Sequence, residues 1–183
     1  MRVNGLRASY RGAPMLAALP PRGAGFRPMS PVAPQEPVSP DAEAAYHAVM
    51  AYTLSLGDAA FIHQHVVDAW GAQQAQPGGS PIRVFFSVVG LYLLAEHGFS
   101  GRAVQLAHMR LANAPGGAGR REWPLAPLPA ARGALGAMEV LAAPAGDARD
   151  ALIRRWALSV WEAYAPTWRP VVAPYLRERG VVR

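Results

Sequence analysis

At 183 residues, with a formal charge of +6 and a mean hydropathy of +0.07, the chain most naturally holds one domain of ordinary globular character. It contains no cysteine, which excludes disulfides, thiolate nucleophiles and sulfur-ligated metals together. A metal, if one binds, rests on imidazole nitrogen and carboxylate oxygen. A reducing cytoplasm is the simplest compartment for such a chain.

The positive charge does not describe a nucleic-acid surface. Arg2, Arg7, Arg11, Arg22 and Arg27 lie in a Pro/Gly-rich N-terminal stretch that has no acidic residue before Glu36. Residues 41–183 carry 13 arginines against 11 acidic groups, and the chain has no lysine at all. Neither a basic run nor interleaved aromatics appears, so specific nucleic-acid binding is not expected. Residues 1–38 are too rich in Pro, Gly and Arg to offset the entropy of ordering and are expected to form a disordered arm. The helical domain then covers 39–183.

Order is expected from Ser39-Pro40-Asp41, which offers a capping hydroxyl, a first-turn proline and an acid at the positive end of a helix. A first helix over 39–56 packs through Tyr46, Val49, Met50 and Thr53 and stops at Gly57. Asp58 is placed to cap a second helix reaching about residue 76, before Pro77-Gly78-Gly79. Its inward stripe is Ile62, Val66, Ala69, Trp70 and Gln73. The third, over 81–97, is apolar almost all round and belongs at the centre of a bundle. Its apolar stretch from Val84 to Ala95 is broken by Ser87 and Gly90 and falls short of the about 20 residues that span a bilayer. No membrane partner is expected. Gly98 ends this helix and Ser100 caps the next, which ends near residue 114.

A long loop is expected over 114–134, tacked down by Trp123 and Leu125, followed by a short helix over 137–143. A last helix over 147–164 presents Leu152, Trp156, Ser159, Val160 and Ala163 inward, with Asp150 and Arg154 spaced for an exposed ion pair. Trp161 points away from that stripe, towards another element or a partner. Pro166 and Pro170 are expected to break the chain before a weak terminal helix. No alternating pattern suggests a strand. The fold class is all-α, a compact helical bundle of five to six helices with a disordered N-terminal arm.

Whatever chemistry is legible lies with the histidines. His108 shares the buried stripe of the fourth helix with Val104, Ala107 and Leu111, so it is expected to be neutral, as a hydrogen-bonded core group or a ligand. His63 and His65 flank the stripe of the second helix, about 200° apart, and cannot both reach one metal from a regular helix. His65 and Asp68 stand at i and i+3, where a carboxylate can orient an imidazole. Asp68 and Gln64 otherwise read as a solvated face. His47 lies beside the first helix's stripe, where it can complete a site with His65 or His108. His97, with Glu96, reads as a helix-end residue near the negative pole of the dipole. No phosphate-binding glycine loop, zinc-protease motif or nucleophile elbow is present.

Three stretches stand together: Ala45-Tyr46-His47 through Tyr52 to Asp58, Phe61 to Ala69, and Gly98 to Met109. With Trp123-Pro124 and the segment from Arg154 to Ala163, they resemble the bacterial domain-of-unknown-function family numbered 5946. The resemblance implies a cytoplasmic bacterial domain and supplies no reaction. It includes His47, His63, His65, Asp68, Arg102, Gln105 and His108. Some relatives carry cysteines near the N-terminus, and this chain has none, so a cysteine-containing metal site does not carry over.

Two functions follow. In the first, the bundle is a histidine-centred small-molecule enzyme or binding protein. His108 and His65 are its bases or ligands, and His47, His63 and Asp68 are further candidates to hold a divalent metal (Zn, Fe or Mn). In the second it is a non-catalytic interaction module whose histidines are structural.

Overall fold

The computed structural model describes residues 40–114 and 123–183. The arm expected over 1–38 and the middle of the expected loop, 115–122, lie outside the described residues. Among the described residues there are six helices and no strand: α1 Pro40–Ser55, α2 His63–Gln73, α3 Pro81–His97, α4 Gly101–Asn113, α5 Ala137–Ala142 and α6 Asp147–Glu178. The fold is the all-α bundle that the sequence predicts.

The helix ends follow local chemistry. Asp41 and Glu43 sit in the first turn of α1, at its positive pole. Ser80 and Ser100 cap α3 and α4, their hydroxyls accepting from Arg83 N (3.4 Å) and Ala103 N (3.3 Å). Gly98, at φ 66°, closes α3 in a left-handed turn, with Phe99 N–H reaching back to the Leu93 carbonyl at 3.1 Å.

α2 begins later than expected. The Asp58 carboxylate accepts from the Phe61 and Ile62 amides, so it caps a turn rather than the helix itself. Phe61 in that turn has φ 56°, a left-handed backbone rare for a bulky residue. The first turn of α4 holds it there. Arg102 N–H donates to the Ala60 carbonyl at 2.8 Å, and a Cβ on Gly101 would stand 1.9 Å from the Phe61 oxygen. α2 also ends sooner, at Gln73.

α3 is central, as expected. Every residue from Val84 to Leu94 except Phe86 is buried, and α2, α4 and α6 all pack against it. The approach to α2 is close enough to need glycines on both sides. A Cβ on Gly71 of α2 would fall 2.2 Å from Ser87 Oγ, and one on Gly90 of α3 would fall 1.9 Å from Asp68 Oδ2.

α6 corrects the sequence reading most. It does not stop near residue 164 but continues for 32 residues through Pro166, Pro170 and Pro174. The spacing explains how. At i, i+4 and i+8 all three rings share one strip, and all three are exposed. Each removes the N–H that would bond the carbonyl four residues earlier. The carbonyls affected are those of Glu162, Pro166 and Pro170, so the loss repeats along one strip beside water instead of breaking the inner face. That inner face buries Tyr164, Trp168, Val172 and Leu176 completely, at roughly 1.5–3 kcal/mol for each large side chain. The inward stripe also differs. Ile153, Ala157 and Trp161 are buried, while Leu152, Ser159 and Ala163 are only half-buried. Trp161, off the expected stripe, meets another element as expected: its indole N–H donates to Glu96 on α3 at 2.8 Å. Asp150 takes the Tyr52 hydroxyl at 2.7 Å in place of Arg154. Trp123 is buried as expected, but Leu125 is 48% exposed.

Because Pro170 lies on the solvent strip of a continuous helix, Pro170→Ala restores one backbone hydrogen bond without disturbing packing. The expected outcome is a gain of about 1–2 kcal/mol, seen as a rise of several degrees in the thermal midpoint. A lower midpoint would show that the helix ends near residue 164 after all.

Candidate functional site

α2 is an 11-residue helix with polar side chains on most of its circumference, and each goes somewhere different. His63 turns to α1, where its Nδ1 lies 2.8 Å from Thr53 Oγ1. That hydroxyl has one proton and stands 3.1 Å and 3.0 Å from the Val49 and Met50 carbonyls. It therefore donates to the backbone and accepts from His63 Nδ1–H, which leaves Nε2 as an acceptor. Burial pulls the His63 imidazole below its usual pKa, with a backbone hydrogen bond to Met50 acting the other way. At the far end of α2, Gln73 accepts the Trp156 indole N–H at 2.9 Å and donates to the Arg132 and Leu135 carbonyls.

Asp68 does not lie on a solvated face. It is 2% exposed, and its carboxyl rests in the space left by the missing side chain of Gly90. Gln64, one turn earlier, donates to Oδ1 at 3.0 Å, while Oδ2 is buried without a partner. Burial raises this carboxyl well above the ordinary range, against a smaller opposing effect of the Gln64 bond. Removing a carboxylate from water this completely, with one amide for company, favours the neutral acid.

His65 is buried one turn before Asp68 on α2, with Nδ1 unpartnered. Burial, helped by Arg154 and opposed by Asp58, brings its pKa down to about 4. His108 on α4 stands edge-on to the Phe86 ring at 5.1 Å, and its Nε2 is buried without a partner. Burial again lowers the pKa to about 4, against a backbone hydrogen bond with Phe86. Phe86 and Gly90 are one helical turn apart on α3, hence on one strip about 5.4 Å apart. α2 therefore delivers Asp68, and α4 delivers His108, to successive turns of the central helix. His65 accompanies Asp68 on α2.

The other candidates lie elsewhere. His47 is exposed on α1, its ring 5.5 Å from that of Tyr46. His97 pairs its Nε2 with the Tyr92 hydroxyl at 3.0 Å. Arg102 and Gln105 bond each other at 2.6 Å on the outer side of α4. Among the described residues, no group of three or more His, Asp or Glu stands close enough to hold one metal ion. Gly90 was overlooked as part of this region, although a glycine inside so apolar a helix is the signature of a close approach. Arg132 carried no signal. From an irregular segment it donates to the Ala75 carbonyl at 2.6 Å and to the Pro129 carbonyl at 2.8 Å, clasping the end of α2.

Fold and site together define an all-helical domain with His65 and Asp68 buried, and His108 half-buried, around its central helix. A family model described as a family of unknown function (DUF5946) matches residues 23–165, and the chain belongs to this family. Neither a curated protein nor a solved structure matches it. No helix among the described residues is long and apolar enough to cross a membrane.

The three buried groups predict opposed pH effects. His65 and His108 have pKa values lowered by folding, so their contribution is complete above about 6.5 and is lost as pH falls towards about 4. Asp68 has a raised pKa, so its contribution is complete below the unfolded value and is lost as pH rises through the folded one. Thermal midpoints measured from pH 4 to 9 should therefore show His108→Gln flattening the acid side. Asp68→Asn, which keeps the shape and needs no proton, should flatten the alkaline side and raise the midpoint at pH 8. A parallel profile for Asp68→Asn and wild type would mean that Asp68 is ionised in the fold.

Proposed function

We propose that this protein binds a small polar molecule, and acts on it by proton transfer, through His65 and Asp68 on α2 and His108 on α4. One observation supports the reading. Four buried side-chain atoms in the described fold lack a hydrogen-bond partner, and three of them are His65 Nδ1, Asp68 Oδ2 and His108 Nε2. A native fold seldom keeps such atoms without a use, because each costs about 1–3 kcal/mol. At neutral pH the acid is a proton donor and the imidazoles are acceptors, an ordering suited to general acid/base work. A divalent metal (Zn, Fe or Mn) on these groups is the second form of the same reading, with His63 Nε2 and His47 as further ligands. It requires movement of the helices, since the fold as described does not assemble three ligands. The protein is cytoplasmic in this reading, with neither nucleic acid nor membrane as partner.

Thermal unfolding separates the readings. Wild type is scanned with Zn²⁺, Fe²⁺ and Mn²⁺, with chelator, and with a panel of small polar metabolites. The expected result is a stabiliser whose effect grows with the logarithm of its concentration. His65→Gln and His108→Gln should remove it, and His97→Ala should keep it. No stabiliser at all, together with destabilised variants, would assign the histidines to packing.

A further inference from the structure

A second region has the opposite electrostatic character. A groove of about 470 Å³ runs between the C-terminal half of α3 and the middle of α6, floored by Ala95, Leu158, Trp161 and Ala165. Its polar edge is made of acceptors. Glu96 accepts from the Trp161 indole and from Arg169, which hold its carboxylate below the ordinary range. The Arg169–Glu96 ion pair spends the groove's one guanidinium internally. Glu162 lines the same groove and is exposed, and no ion pair or hydrogen bond among the described residues engages its carboxylate. With one cation against two carboxylates, the groove is left net negative.

Arg169 shows the matching chemistry within the fold, its guanidinium bonded to a carboxylate and 5.8 Å from the centre of the Trp161 ring.

We propose that this groove binds an amphipathic cation, a small molecule with an ammonium or guanidinium head on an aliphatic stem. The head meets the Glu162 carboxylate; the stem lies on Leu158, Ala165 and Trp161. A volume near 470 Å³ has room for such a molecule.

Titration of the full chain with n-hexylammonium, followed by amide chemical shifts, tests this, with hexanoate and hexanol as matched controls. Saturable binding of the cation alone is expected, with perturbed amides on the groove residues of α3 and α6. Glu162→Gln should weaken it by about fivefold, the scale of one charged hydrogen-bonding contact. Equal binding of hexanoate or hexanol would overturn the proposal, leaving only an apolar floor. So would cation binding that survives Glu162→Gln undiminished, or no saturable binding by the cation.

Discussion

The close approach of α2 to α3 fixes everything around it. Gly71 on one helix admits Ser87 of the other, and Gly90 admits Asp68 in return. Two reciprocal small-for-large contacts set both the distance and the register of the pair. A slip of one residue would drive a carboxyl or a hydroxyl into a backbone. With α2 seated, its remaining faces recruit the other elements by directional bonds. His63 holds α1 through Thr53, and the Tyr46 ring stacks on Trp70 at 4.5 Å. Tyr164 of α6 donates to the Ala72 carbonyl at 2.6 Å, and Trp156 reaches Gln73.

An 11-residue helix is marginal alone, so tertiary contacts must supply most of its stability. Apolar packing provides energy with little direction, since a rotated helix still buries much of the same surface. Hydrogen bonds from one short helix to three neighbours provide direction. Their cost is the desolvation of several polar groups. Most of that cost is offset by partners: Thr53 for His63, Gln64 for one oxygen of Asp68, and Trp156 and two carbonyls for Gln73. The remainder, on His65, the second Asp68 oxygen and His108, is not offset. Register could have been set without these three atoms, which is why they read as a site rather than as framework.

How much of this was legible in the sequence depended on whether a signal was local. Gly98 and Ser100 act on their own helix ends, and the structure places a left-handed C-cap and a hydroxyl N-cap there as expected. The inward stripe of α4 through Val104, Ala107 and Leu111 also held, because an amphipathic pattern needs no knowledge of the neighbour. Asp68 was misplaced for the converse reason. Its burial depends on a glycine 22 positions away on another helix, and its own helix presents it beside Gln64 like a surface pair. The prolines of α6 were misread because each was weighed singly as a breaker. Their common spacing, which confines the loss to one exposed strip, appears only when the three are taken together. Trp161 lies off the narrow stripe and is still buried, because a helix packed against both α3 and its neighbours buries a wider arc. The helix that carries each histidine is legible in the sequence, but what each ring meets is a matter of tertiary packing.

The interior also inverts the usual order of acid and base strength. In water an aspartic acid gives up its proton well below the pH at which an imidazole does. Here burial raises Asp68 well above the ordinary carboxylate range and lowers His65 and His108 to about 4, so burial favours the proton on the carboxyl and disfavours it on both imidazoles. The inversion rests on dryness, because desolvation is the first cause of all three shifts. Nothing else nearby enforces it: Arg154 reinforces it only at His65, and the Gln64 amide opposes it at Asp68. Any polar molecule that enters and bonds Asp68 Oδ2 would therefore weaken the condition that keeps the proton on the acid. In the reading proposed for this site, binding and proton release are then the same event, driven by replacing an empty low-dielectric contact with a hydrogen-bonded one. An interaction module has no need of that coupling. The groove on α3 and α6 differs in kind, since Arg169, with the Trp161 indole, holds its Glu96 carboxylate below the ordinary range, where burial raises that of Asp68.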